Sequence, residues 1–269
     1  MRKAKYLPSE HLLLSSEALR DDYNFFVRNL ANPRPANQRY ILSEKYLSGA
    51  TRGVELGGFH APNHLPLGCQ ADYIDQASID DLKNRFPEIN DLNCVYSLTL
   101  DDGQKLSKVP SEYYAFLIAN HMIEHVEDVI TTIQNHLRVI KPDGYILYAV
   151  PDKRYTFDAT RELTTYEHLK DEYLNGSEKN RKEHYIDFLK HTAHYDDEEL
   201  LIKTEKLLQE HKDTHFHVWE SSTFEKHIKN AINDGFINAT LLEIVPNGIE
   251  FICVLKKFQT EKVAQGTLS

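Results

Sequence analysis

Val54-Glu55-Leu56-Gly57-Gly58 ends a short apolar run with a carboxylate and two glycines, and Tyr73-Ile74-Asp75 ends the next with a second acid. Further runs follow at Cys94 to Leu98, Tyr114 to Ala119 and Tyr145 to Val150, separated by polar or helix-patterned segments. Apolar stretches this short, spaced this way, are the pattern of parallel strands buried on both faces. Between the fourth and fifth runs, Val126, Val129, Ile130, Ile133, Leu137 and Ile140 line one side of a helix that Lys141-Pro142-Asp143-Gly144 ends. Strand, helix, turn and strand in that order are the repeating unit of an α/β domain.

Working outward, residues 9 to 50 carry helical spacing at Leu12, Leu13, Leu19, Tyr23, Phe26 and Leu30, broken by Asn32-Pro33-Arg34-Pro35. After the fifth run, Thr156 to Thr214 is dense in His, Lys, Glu and Tyr, and reads as a helical insertion above the sheet. The pattern then predicts a helix over Ser222 to Asp234 and a strand pair, Ile237 to Val245 and Ile249 to Lys256, around Asn247-Gly248. An Asn-Gly pair between two apolar runs is a strong hairpin signal. The expected fold is a Rossmann-like, mostly parallel α/β sheet with a C-terminal antiparallel hairpin. The expected organisation is an N-terminal helical cap (1–50), a core (51–155 and 213–258), a helical insertion (156–212) and a tail (259–269).

Composition narrows the partners. A chain of 269 residues with 41% hydrophobic content can bury the core of one α/β domain. The formal net charge of -10 repels a phosphate backbone, so nucleic acid is not the expected substrate. Pro8, Ser9, Glu10 and His11 interrupt the first apolar run, leaving no signal-peptide core. No stretch approaches the roughly 20 apolar residues of a membrane span. The cytoplasm is therefore the expected location, and Cys69, Cys94 and Cys253 are expected to be reduced thiols.

In Rossmann-like folds ligands lie at the carboxyl ends of strands, where an acid such as Asp75 holds two ribose hydroxyls. A nucleoside cofactor is implied. A dinucleotide needs a G-x-G-x-x-G turn leading into a helix whose N-terminus faces the pyrophosphate. The segment between the first two strands lacks that turn and contains Pro62, Pro66 and Gly68, leaving little room for a helix. S-adenosylmethionine carries no phosphate, so the missing turn counts against NAD more than against a methyl donor.

Val54-Glu55-Leu56-Gly57, Tyr73-Ile74-Asp75, Leu117 to His121, Glu124 to Asp128, and Leu137 to Val150 together resemble the Rossmann-like S-adenosylmethionine-dependent methyltransferases. More narrowly, Ala149 to Asp158, Arg161, Thr164, His168 and His215-Phe216-His217-Val218-Trp219 resemble a bacterial branch associated with cell-surface glycan synthesis and sometimes joined to glycosyltransferases. The resemblance implies that Glu55, Gly57, Gly58 and Asp75 bind the cofactor, with Asn120 and His121 bordering its methionine end. The acid expected after the third strand falls at Leu98 or Thr99, with Asp101 and Asp102 as the nearest substitutes. It also implies a sugar or other small hydroxylated acceptor and a glycosyltransferase as a partner.

A hydroxyl acceptor gains from a general base. His215 and His217, alternate residues of an extended segment, are the candidates, on one wall of a pocket, with Asp152 as orienting acid. Arg154, Arg161 and His168 are the candidates for holding the acceptor. Two other readings stand beside this one. His121-Met122-Ile123-Glu124-His125 matches the H-x-x-E-H pattern of a zinc peptidase family, although no metal is expected. Gly58-Phe59-His60 departs from the commoner Gly-x-Gly-x-Gly loop, as a methyltransferase-like interaction module without activity would.

Overall fold

The computed structural model describes residues 37–59, 61–85, 87, 95, 98–192 and 195–259. Seven strands form one sheet: β1 (Arg52–Leu56), β2 (Gln70–Asp75), β3 (Thr99–Leu100), β4 (Tyr114–Asn120), β5 (Ile140–Pro151), β6 (Ala239–Asn247) and β7 (Glu250–Lys257). Their spatial order is β3-β2-β1-β4-β5-β7-β6. Strands β1 to β5 pair in parallel, whereas β7 runs antiparallel to both β5 and β6. This is the Rossmann-like arrangement the sequence pattern predicts. The reversal of strand order at β1 and β4 makes a crevice at the carboxyl edge, where such sheets bind ligands.

The continuous apolar runs follow from burial on both faces. Along β4, Tyr114, Leu117 and Ala119 join one core while Phe116 and Ile118 join the other. Strand β7 divides likewise, Phe251, Cys253 and Leu255 against Ile252 and Val254. Alternation with a period of two therefore needs apolar residues at every position. The larger core lies beneath α3 (Val129–Val139) and α7 (Ser221–Asn233), and the smaller beneath α1 (Gln38–Leu47). The remaining α-helices among the described residues are α2 (Ile79–Arg85) and, in the insertion, α4 (Tyr166–Asn175), α5 (Arg181–Thr192) and α6 (Asp197–Glu210).

Several boundaries differ from expectation. The third strand is Thr99–Leu100 instead of Cys94 to Leu98, of which Cys94, Tyr96 and Ser97 lie outside the described residues. Helix α3 starts at Val129 because the Asp128 side chain accepts from the Thr131 N–H at 2.9 Å, capping it three residues later than Val126. Strand β5 already begins at Ile140, with Asp143 at φ 63° and a register shift opposite Tyr114 and Phe116. In the hairpin, Asn247 pairs with Glu250, so the turn residues are Gly248 and Ile249, with Gly248 at φ 71°. Glycine first in a two-residue turn is the type II′ requirement. Of the N-terminal cap, only the part from residue 37 is described; its expected helical residues Leu12 to Leu30 lie outside. Cys69 and Cys253 are free thiols. No described helix is long and apolar enough to cross a membrane.

Candidate active site

Strands β1, β2 and β3 are parallel neighbours, with Leu56 opposite Ile74 and Asp75 opposite Leu100. Their carboxyl ends thus carry Glu55, Asp75 and Asp101 on successive strands. Glu55 is 1% exposed. Its oxygens accept from the Asn63 N–H at 2.9 and 3.0 Å, and Asn120 Nδ2 donates at 3.4 Å. Burial pushes this carboxyl up to about 7, against the pull of the Asn63 N–H and the Arg39 charge. A Cβ on Gly58 would stand 2.8 Å from Glu55 Cδ, so only glycine lets the loop fold this closely over the acid.

That loop forms no helix among its described residues. Tertiary bonds hold it instead: Asn63 Nδ2 donates to Ser43 Oγ of α1 at 2.7 Å, and the Gly57 N–H donates to Ile74 O at 2.9 Å. Half-buried Asp75 accepts from the Ala77 N–H at 3.0 Å. Asp101 directly follows β3, and its N–H donates to Asp75 O at 3.1 Å. The displaced third strand therefore puts an acid at the position that appeared vacant. Asp101 also accepts from the Asp102 and Lys108 N–H groups at 2.9 and 2.8 Å, and Asp102 accepts from Gln104 at 2.8 Å, folding the loop after β3. Acids at three neighbouring strand ends, with no helix N-terminus facing them from the first loop, fit S-adenosylmethionine and leave no pyrophosphate cradle.

After β4 the chain turns through His121, which adopts φ 51°. Its Nε2 lies 2.7 Å from Glu250 Oε2 and its Nδ1 3.5 Å from Glu124 Oε1. Burial lowers the His121 pKa, but Glu124 and Glu250 outweigh it and raise it to about 9. Glu250 is held at about 2 because His121 and Arg39 overcome its own burial, Arg39 Nε donating at 2.8 Å. The H-x-x-E-H segment does not lie on one helix: His121 precedes a 3-10 turn, Ile123–His125, and α3 starts beyond it. His125 Nδ1 meets Asp213 at 2.7 Å while His121 meets Glu250, so the peptidase arrangement is not formed. Glu124 is 1% exposed and its oxygens have no hydrogen-bond partner among the described residues.

Beyond β5 the two candidate histidines take different partners instead of sharing a wall. His215 Nδ1 bonds Asp158 Oδ2 at 2.7 Å, and its ring stands edge-on to His125 with centroids 4.7 Å apart. His217 is 1% exposed, stacks on Trp219, and lies with His168, Glu172 and His184. Burial lowers its pKa to about 3, which leaves it a poor proton acceptor at neutral pH. Asp152 orients no histidine here, because Arg154 engages it through Nε at 2.8 Å and a terminal nitrogen at 2.6 Å. Asp158, which the sequence reading missed, takes the orienting position. Arg161 is 1% exposed between Asp158 and Asp187 at 2.8 and 2.7 Å, so it ties the insertion down from a buried position. Arg154 keeps 45% of its side chain exposed. A cleft of ≈ 470 Å³ between Thr164–Glu167 and α7 is lined by none of the candidate cofactor residues.

The family model described as "Methyltransferase domain" matches residues 68–231, more than half of the chain. Solved structures with a similar fold include a SAM-dependent methyltransferase from Methanosarcina mazei, at 16% identity over 82% of this chain and 99% of that one, TM-score 0.46. The PH0226 protein from Pyrococcus horikoshii matches at 14% identity over 96% and 99% of the two chains, TM-score 0.46. An O-methyltransferase family protein from Burkholderia thailandensis matches at 11% identity over 91% and 61%, TM-score 0.44. This chain spans 49% of the length of one matched protein, a carbon methyltransferase, and 68% of another, from Bordetella parapertussis. No curated protein matches. With the domain match covering strands β2 to β5 and the helices up to α7, the chain belongs to the methyltransferase-domain family and is an enzyme that uses S-adenosylmethionine.

Proposed function

We propose that this enzyme methylates a hydroxyl of a sugar, a glycan or another small hydroxylated acceptor in the cytoplasm. The observation that carries the reading is the Asp158–His215 pair. The Asp158 carboxylate is 1% exposed and accepts from His215 Nδ1 at 2.7 Å, which fixes the tautomer and leaves the other ring nitrogen for a proton. Burial alone would raise the Asp158 pKa, but His215 and Arg161 lower it, so it remains a carboxylate facing the ring. Bound S-adenosylmethionine supplies an electrophilic methyl on its sulfonium. Asp75 would hold its ribose hydroxyls, Glu55 and the Gly57-Gly58 loop its amino acid end, and Asn120 and His121 border that end.

Methyl transfer is an in-line displacement, so orientation supplies much of the rate. A hydroxyl needs a base as its oxygen attacks, whereas an already ionised acceptor does not. His215 fills that role in this reading, and exposed Arg154 suits an acidic group on the acceptor. The insertion, 156–212, is the proposed acceptor-recognition unit, and a glycosyltransferase acting on the same glycan is the proposed partner.

The test is a transfer assay with labelled S-adenosylmethionine against free sugars, nucleotide sugars, phenols and amines, run with wild-type protein and His215→Ala. Transfer to sugar hydroxyls that His215→Ala suppresses supports the reading. Transfer to amines alone, unaffected by His215→Ala, would overturn it.

A further inference from the structure

Within the insertion, three imidazoles converge on one carboxylate. Helix α4 carries His168 and Glu172, four residues apart and therefore on one helix face. Helix α5 contributes His184, and the extended segment returning to the sheet contributes His217. Nε2 of His184, His168 and His217 lie 2.8, 3.2 and 3.3 Å from the Glu172 oxygens. The Nε2 atoms of His168 and His184 are 3.3 Å apart. Glu172 is 0%, His217 1% and His184 7% exposed.

Hydrogen bonds account for part of this cluster: His184 Nε2 meets Glu172 Oε1 at 2.8 Å, and His217 Nε2 also lies 3.1 Å from the Glu127 carbonyl oxygen. Two imidazole nitrogens held this near each other in a buried site must share a single oxygen, Glu172 Oε1, which also accepts from Asn180 Nδ2 at 3.3 Å. Glu172 Oε2 and His217 Nδ1 are buried with no hydrogen-bond partner among the described residues. One potential ligand atom from each of the four side chains lies within 4.8 Å of the others. Around a tetrahedral ion with bonds of about 2.0–2.1 Å, ligand atoms stand about 3.3 Å apart; the imidazole–carboxylate and His168–His184 separations here run from 2.8 to 3.3 Å.

We propose that His168, Glu172, His184 and His217 bind one zinc ion. Three neutral imidazoles and a carboxylate make a borderline donor set that suits zinc better than magnesium or calcium, which take oxygen ligands. Four protein ligands close the tetrahedron, so the ion is structural and takes no part in methyl transfer. It joins α4 and α5 to the segment whose Phe216 and His217 N–H groups donate to Glu124 O at 2.8 and 3.3 Å. The insertion is thereby fastened to the loop after β4, beside the His215 pair. Asn180 supplies the outer hydrogen bond to Glu172, and half-buried His168 gives the ion its route in.

The experiment is metal analysis of full-length protein purified without chelator, then zinc and Co²⁺ titration of the chelated protein. One zinc per chain, tetrahedral Co²⁺ absorption in the visible, and a fall in Tm on the order of 10 °C on chelation are expected. Glu172→Gln should lose stoichiometric zinc. His168→Ala, at the half-buried corner of the cluster where truncation spares the core, should raise the zinc Kd by more than about 100-fold, above the loss typical of an outer partner. His125→Ala, in the neighbouring group formed with Glu124 and His215, should retain zinc. Zinc absent from the purified protein and failing to raise Tm when added would overturn the proposal. So would iron or manganese at the site, or zinc held equally by wild type and His168→Ala.

Discussion

The carboxyl ends of β1 to β3 and the insertion above β5 place polar residues by opposite means. At the strand ends, Glu55, Asp75 and Asp101 occupy the next available position on successive strands, and each is bonded to backbone N–H groups nearby in sequence. In the insertion, Asp158, Arg161, Glu172, His184 and His217 are all buried, and their partners include groups 26, 57 and 90 residues away in sequence. Sheet periodicity and register set the first region. The second exists only once three helices and a return segment have packed, so its polar groups must find each other or be left unpaired at a cost of several kcal/mol each. One side therefore reads as cofactor chemistry from sequence order alone, and the other holds its chemistry in side-chain pairing.

The comparison breaks most visibly at His215. If the Asp158–His215 pair is the base for a hydroxyl, His215→Ala should lower kcat by about 10²–10⁴-fold with S-adenosylmethionine affinity unchanged. Asp158→Asn should follow it in part. Calorimetry beside the transfer assay separates the two readouts; a parallel loss of cofactor affinity would show the regions to be one site.

Asp75→Ala should act on the other region. Removing the ribose partner costs about 1.5–3 kcal/mol per charged hydrogen bond, so two lost bonds weaken S-adenosylmethionine binding by about 100-fold or more, measured by titration calorimetry. Thermal stability should hardly move, because the carboxylate is only half-buried.

A smaller effect sharpens the boundary between them, where Glu250 holds His121 and Arg39. His121 has a folded pKa raised from 6.5 to about 9, so its contribution is complete below the unfolded value and lost as pH rises through about 9. Glu250 is lowered from 4.5 to about 2, so its contribution is complete above the unfolded value and lost as pH falls through about 2. Tm should therefore contain a plateau between these unfolded values, pH 4.5 to 6.5, and fall on both sides. Glu250→Gln should lower that plateau by roughly 5 °C, for about 2 kcal/mol, and flatten both limbs. Equal slopes in the two proteins would assign the pH dependence elsewhere.

The legible parts of the molecule are those that period and turn chemistry determine. The run Val54 to Leu56, the α3 face from Val129 to Leu137 and the Asn247-Gly248 hairpin each follow from spacing that the packed sheet preserves. Thr99 and Leu100 did not read as a strand because only two residues pair, and both are exposed at the sheet edge. That shift hid the position of Asp101. Asp158 could not be found from sequence, since its partner His215 lies 57 residues on. His217 and Arg161 looked available because charge and ring type suggest chemistry, while burial decides it. The spacing of His168 and Glu172 was the one local signal of the buried cluster, and only the fold brings His184 and His217 to it.

We propose that the strand-end acids bind S-adenosylmethionine beside a first loop that forms no helix among its described residues. The most direct test is calorimetric titration of the folded, full-length protein with S-adenosylmethionine, S-adenosylhomocysteine and NAD. The account predicts one micromolar site for the two adenosyl compounds, lost in Asp75→Ala, and no heat with NAD. Binding of NAD, or adenosyl binding that survives Asp75→Ala unchanged, would contradict it.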